Sequence, residues 1–267
     1  MNEQNNHNEQ DDQIACFFEI FDASLPRLAP GSGELTARAL ERLLSNAAAR
    51  HGQSALDKLR VLDIGCGNGG ATLELARRLD GTILAVDNHR PFLDELLRRA
   101  QTEGLADKIE PCLADMSQME MDDGSFDLIW SEGALYLMGV EQGLALCHRL
   151  LKPDGMLAIS DLVWFRHDRP AKCHEFFGNL CPWMTDVSGN LALMDRAGFE
   201  VIDHFVFPKS AWDSFYGPVE KRLGLLREER ADQPGMIEMI ESMEEEIEIF
   251  REYSEYYGYV FYQMRRR

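Results

Sequence analysis

From Leu59 onward, short apolar runs alternate with stretches in which apolar residues recur at helical spacing. Leu59 to Ile64, Thr82 to Val86, Ile109 to Ala114, Phe126 to Trp130 and Met156 to Val163 read as strands. Between them, Ala71 to Leu79, Pro91 to Ala100 and Val140 to Leu150 read as helices, the second opened by a proline at a first-turn position, where its missing N–H has no partner to lose. Such alternation predicts an α/β fold with a doubly wound, mostly parallel sheet covered by helices on both faces.

The flanks read differently. Ahead of the first strand, Ile14 to Leu25 and Glu34 to Ala49 show helical spacing and are separated by a breaker cluster, Pro26 to Gly33, that predicts a rigid elbow. After the fifth strand, a helix is expected over Asn190 to Ala197, a sixth strand over Glu200 to Phe207 and a last strand over Tyr259 to Met264. Trp212 to Tyr256 is acidic and helical in pattern, with Pro218 and Pro234 expected as breaks. The expected organisation is a tail and N-terminal helices over residues 1–50, then one domain over 51–267 with a C-terminal helical insertion at about 209–256 before the last strand.

Charge narrows the partners. Lys and Arg number 27 against 46 Asp and Glu, a formal charge of -19, so the surface repels phosphate backbones and nucleic acid is not an expected partner. The longest apolar runs, such as Met156 to Trp164, fall far short of the roughly 20 residues a membrane span needs, and the polar Met1 to Gln13 has no apolar centre of a signal peptide. A cytoplasmic protein, monomer or homodimer, with no membrane partner is expected. Its six cysteines lack C-x-x-C spacing and are expected to be reduced thiols. The Asn/Gln/Glu-rich first ten residues and the acidic run Glu244 to Glu248 are expected to be solvated surface.

The chemistry concentrates in Val61-Leu62-Asp63-Ile64-Gly65-Cys66-Gly67-Asn68-Gly69-Gly70, a strand entering a glycine-rich turn. Gly65, Gly67 and Gly70 also fit the fingerprint that holds a dinucleotide pyrophosphate on a helix N-terminus. Asp63 separates the two readings: a carboxylate there repels a pyrophosphate and attracts an ammonium. S-adenosylmethionine (SAM) has such an ammonium and NAD does not. Asp87 ends the second strand about 20 residues after Gly65, where a carboxylate can accept both hydroxyls of a ribose. Asp115 ends the third strand, where it can accept from an adenine amino group while the Met116 thioether packs on the ring; its alternative role is a cap or turn residue.

Taken in order, VLDIGCGNGG, AVDNH, CLADM, SFDLIWSEGALYLM and LLKPDGMLAISD make Leu59 to Asp161 resemble the Rossmann-like, class I SAM-dependent methyltransferases. The flanking PGSGELTARAL, SEGALY and Trp212 with Tyr216-Gly217-Pro218 resemble a bacterial small-molecule subgroup of them, in which an N-terminal elbow covers the cofactor. The resemblance implies a SAM site in which the glycine turn with Asp63, Gly65, Gly67 and Gly69 holds the methionine part, and Asp87 with Asn88 the ribose. Asp115 and Met116 would hold the adenine, and Ser131 to Gly133 would lie beside the cofactor.

Methyl transfer from a sulfonium is an in-line displacement that needs positioning more than a dedicated base, and no metal is expected. Should the acceptor have to lose a proton, Glu132 is the first candidate base, or else a residue that shapes the pocket. Asp161 and His167 rank second, and His89 either touches the cofactor or opens the next helix. Among Trp164, Phe165, Phe176, Phe177, Trp183, Trp212, Phe215 and Tyr216, two or three are expected to line a substrate pocket or enclose a cationic acceptor. Cys173, His174 and Cys181 match no metal-ligand spacing. The expected function is methyl transfer from SAM to a small-molecule acceptor; the alternatives are an NAD-dependent oxidoreductase or a SAM-binding protein without turnover.

Overall fold

A computed structural model describes residues 12–267, so the polar tail over residues 1–11 lies outside the described residues. Seven strands form one sheet in the order β3-β2-β1-β4-β5-β7-β6. They are β1 (Leu59–Ile64), β2 (Gly81–Asp87), β3 (Ile109–Leu113), β4 (Phe126–Glu132), β5 (Leu151–Trp164), β6 (Phe199–Val206) and β7 (Tyr257–Arg266). The first five pair in parallel, whereas β7 runs antiparallel between β5 and β6.

Helices cover both faces: α1 (residues 12–20), α2 (Gly33–His51), α3 (Thr72–Arg78), α4 (Arg90–Thr102), α5 (Val140–Leu150), α6 (Ala171–Leu180), α7 (Val187–Arg196), α8 (Lys209–Glu229) and α9 (Pro234–Tyr253). Strand alternation sends Val61 and Leu128 into one layer with Leu40, Leu75 and Leu96, and Leu62 and Ile129 into the other with Leu144 and Met194. Central strands buried on both faces need apolar residues throughout, which is why β1 and β4 read as continuous hydrophobic runs.

Chain order reverses at β1: β2 and β3 lie on one side, β4 and β5 on the other. The loops after β1 and β4 therefore diverge and leave a crevice at the C-terminal edge of the sheet.

Three expectations change. Pro218 does not break the insertion but lies inside α8. The preceding Gly217 has no Cβ to clash with the proline ring, and burial of Trp212, Phe215, Val219 and Leu223 holds the helix on both sides of it. Pro234 does mark a boundary, at the first turn of α9. Second, β5 begins at Leu151 rather than Met156: the pairing with β4 jumps from Leu151 opposite Phe126 to Met156 opposite Leu128, so the intervening residues bulge, with Asp154 at φ 60°. Third, α6 was not expected, although Cys173, Phe176, Phe177 and Leu180 carry helical spacing.

Candidate active site

The turn after β1 is shaped by its glycines. Gly65 adopts φ 69°, and a Cβ built on it would stand 2.4 Å from the Ala134 Cβ, so only glycine lets the turn lie against the loop after β4. Gly69 adopts φ 91° and packs on Leu96 of α4. The Gly67 N–H donates to Asp87 Oδ2 at 2.8 Å, tying the end of β1 to the end of β2.

This turn lines a cavity of about 600 Å³. Asp63, Gly65, Gly67, Asp87, Asn88, Asp115, Met116 and Glu132 all border it, as do Phe17, Phe18 and Phe21 from the N-terminal segment and Arg27 to Ala29 from the elbow. Gly69 and Ser131 are not among its lining residues. The Ser131 hydroxyl is buried and donates to the Ile64 carbonyl at 2.9 Å, joining β4 to β1.

Four carboxyl groups and one guanidinium, that of Arg27, are the charged groups of this lining. Asp63 is 1% exposed. Burial pushes its carboxyl up to about 7 against the bond it accepts from the Thr72 hydroxyl at 2.6 Å, and the negative charges of Glu132 and Asp87 add to the rise. Asp87 is raised as well, first by burial, while the His89 and Gly67 N–H groups oppose the rise. Asp115 caps a single 3₁₀ turn, Met116–Gln118, accepting from the Ser117 N–H at 2.8 Å and hydroxyl at 2.7 Å; it is exposed, and those bonds hold its carboxyl below the usual range.

Glu132 ends β4 with three donors on its roughly four lone-pair sites. Its Oε1 accepts from the Thr36 hydroxyl at 2.6 Å and from the Trp130 indole N–H at 2.9 Å, and its Oε2 accepts from the Arg27 guanidinium. Through these bonds Glu132, the first-candidate base, links the strand end to the elbow and to α2. A second link lies at the glycine turn, where the buried Asn68 amide donates to the Ala23 and Leu25 carbonyls at 3.0 and 2.6 Å.

The match to known proteins falls on the same segment. The methyltransferase domain family matches residues 61–155. The methyltransferase GfsG of Streptomyces halstedii is 36% identical over 142 residues, covering 53% of this chain and 48% of that protein. A sterol 24-C-methyltransferase of Neurospora crassa is 29% identical over 154 residues, covering 55% and 41%. The chain thus spans about half the length of the curated relatives it matches. Among solved structures, YjhP of E. coli superposes with a TM-score of 0.76 at 18% identity, covering 94% of this chain and 99% of that one. A SAM-dependent methyltransferase of Geobacter sulfurreducens, solved with S-adenosyl-L-homocysteine, superposes with a TM-score of 0.70 at 23% identity, covering 85% and 91%. Both have the fold described above.

Beside the first cavity the sheet edge, the N-terminal segment and the C-terminal helices enclose a second, of about 390 Å³. The two share Phe17, Phe21, Leu28, Ala29, Gly133 and Tyr136. Of the eight aromatic candidates, Phe177, Trp183, Trp212 and Phe215 line this second cavity, whereas Trp164, Phe165, Phe176 and Tyr216 do not. Asp161 lines it too, accepting from the Asn190 amide at 2.7 Å, and burial pushes its carboxyl up to about 6.

The other candidates lie elsewhere. His167 is exposed and lines neither cavity; His89 stacks on Phe18 with ring centroids 3.5 Å apart and opens α4. Among the described residues no group of three or more His, Cys, Asp or Glu side chains is arranged to hold a metal, and no helix is long and apolar enough to cross a membrane.

The sequence reasoning passed over Arg27, Thr36, Asn68 and the Phe17-Phe18-Phe21 cluster. Only the aromatic cluster carries a local sign, three bulky rings at the end of a short helix and just past it, followed by a breaker.

Proposed function

We propose that this chain transfers a methyl group from SAM to a small-molecule acceptor. The observation that carries the reading is the pairing of a carboxyl-rich, glycine-cradled cavity at the sheet's switch point with an aromatic cavity that shares six of its lining residues.

The first cavity fits SAM in volume, in backbone approach at Gly65 and in charge, since a sulfonium and an ammonium suit a lining with four carboxyl groups and one guanidinium. SAM supplies a methyl group on a positively charged sulfur, a leaving group that needs no activation. Asp63 would receive the ammonium, Asp87 the ribose hydroxyls, and Met116 would pack on the adenine. Asp115 adds an acceptor at the exposed end of that cavity.

Gly133 and Tyr136, common to both cavities, border the passage between cofactor and acceptor. Catalysis then rests on alignment and exclusion of water, with the segment Phe17 to Phe21 and the elbow serving as the cover. Glu132 acts as a positioning residue: three donors occupy most of its roughly four lone-pair sites, and it holds Arg27 of the cover in place.

The reading also favours a metabolite over nucleic acid, given the net charge of -19. The test is calorimetric titration with SAM, S-adenosylhomocysteine and NAD in parallel, followed by release of S-adenosylhomocysteine in the presence of small-molecule pools. Binding of the two sulfur nucleosides alone supports the reading, and binding of NAD alone overturns it. Sulfur-nucleoside binding with no turnover across broad pools would leave a binding protein.

A further inference from the structure

The second cavity has a charge character of its own. Its ionisable lining groups are Asp161, Glu246, Cys181, Tyr136 and Tyr259, with no lysine, arginine or histidine among them. Glu246 stands on α9, in the helical insertion, and its Oε1 accepts from the Tyr216 hydroxyl at 2.9 Å; the recorded side-chain partners of both carboxyls, Tyr216 and Asn190, are neutral.

Two other enclosed carboxylates are in salt-bridge contact with cations, Glu132 with Arg27 and Glu74 with Arg77 and Arg78, whereas Asp63 of the first cavity bonds only to the Thr72 hydroxyl. In the second cavity, two carboxyls face an aromatic enclosure without a cation. Such a group must hold a proton or meet a cation brought from outside, and burial already pushes Glu246 up to about 7.

The rest of the enclosure suits a hydrocarbon that bears positive charge. Phe177, Trp212 and Phe215 form walls, with Trp212 fixed by stacking on Phe250 at 4.2 Å between centroids. Aromatic faces carry negative potential and attract cations while burying their alkyl parts. Trp183 is 50% exposed and stands at the rim, so the cavity is open to an entering molecule there.

We propose that this cavity selects a hydrophobic amine bound as its cation, with Glu246 and Asp161 receiving the charge and the aromatic walls the hydrocarbon. In the methyl-transfer reading, on which this rests, that amine is the acceptor, so the helical insertion sets acceptor choice through Glu246.

The test titrates the full chain, first saturated with S-adenosylhomocysteine, with 4-phenylbutylamine, 4-phenylbutanol and 4-phenylbutyrate, which share one skeleton and differ in charge. We expect the amine to bind about tenfold tighter than the alcohol and the carboxylate to bind weakest. Glu246→Gln and Asp161→Asn keep an acceptor for Tyr216 and for Asn190. Each should reduce the amine's advantage over the alcohol at least about threefold and leave alcohol and S-adenosylhomocysteine affinities unchanged. Equal binding of amine and alcohol, preference for the carboxylate, no binding of the amine, or an unchanged preference in both variants overturns the proposal. The S-adenosylhomocysteine affinity is read separately. Its absence sinks the cofactor assignment, while the amine preference is still measured on the unliganded chain.

Discussion

The Arg27 guanidinium donates to the Glu132 carboxylate, joining the elbow before α2 to the end of β4 across 105 positions of sequence. Both side chains are largely buried, at 17% and 7% exposure, so removal of one partner strands the other's charge. We expect Arg27→Ala to lose about 3 kcal/mol of unfolding free energy and to weaken S-adenosylhomocysteine binding. Urea denaturation of Arg27→Ala, Glu132→Gln and the double variant should show strong coupling; simple additivity would mean that the pair does not hold the elbow.

Gly65→Val places a branched side chain where even a Cβ meets Ala134, at a backbone angle that side chains rarely adopt. Its cavity-facing position predicts at least about a hundredfold loss of SAM affinity, equivalent to about 3 kcal/mol, with circular dichroism of the folded protein retained. Wild-type affinity in a soluble Gly65→Val would place the nucleoside elsewhere.

Asp87 accepts from two backbone N–H groups, those of Gly67 and His89 at 2.8 and 2.9 Å. Asp87→Ala leaves both without that acceptor and removes the expected ribose partner. We expect loss of about 2 kcal/mol of stability and at least tenfold weaker SAM binding by calorimetry. An unchanged dissociation constant would remove Asp87 from the site.

Asp63 should make the unliganded protein sensitive to pH. Its carboxyl titrates near 7 when folded against 3.8 as a free group, so between about pH 4 and 7 the folded chain holds a proton that the unfolded chain has released. Stability contributed by this group therefore falls as pH rises through that window and levels off above it. Asp63→Asn, which keeps an acceptor for Thr72, should lose less stability than wild type between pH 5 and 8, the difference being on the order of 2 kcal/mol. Parallel urea profiles for both proteins would refute the assignment, and Asp63→Asn should still bind SAM more weakly at pH 8.

Much of the sheet was legible because the central strands β1 and β4 are largely buried and the parallel strands are punctuated by glycine or acidic turns, so local pattern and tertiary position agree. β5 was misread at its start because Lys152-Pro153-Asp154-Gly155 has the composition of a turn, and its place as a bulge depends on pairing with β4. Pro218 was misread because the effect of a proline depends on its neighbour: Gly217 relieves the clash that a side chain would cause.

The cavity follows the same logic. Asp63, Gly65, Asp87 and Met116 were readable since each stands at or just beyond a strand end, and strand ends gather at one edge. Ser131 occupies an equally suggestive place, yet strand alternation turns its hydroxyl inward to Ile64. Arg27 and Asn68 act through partners far away in the chain, and no local pattern distinguishes an elbow arginine facing a buried glutamate from one facing water.

The position of β7 has a consequence for how the chain reaches this state. β6 lies at the sheet edge with β7 as its neighbour, and β7 emerges from the ribosome only after α8 and α9. The five parallel strands can thus assemble while β6 waits unpaired and β5 presents an open edge, a sticky interval in the life of the nascent chain. Insertion of β7 covers the open side of β5 and the inner side of β6 at once. Completion of the fold and completion of the aromatic chamber lined by Glu246 and Tyr259 are therefore one event, so a chain stalled before β7 has the residues of the carboxyl-rich cavity but not yet those of the second one.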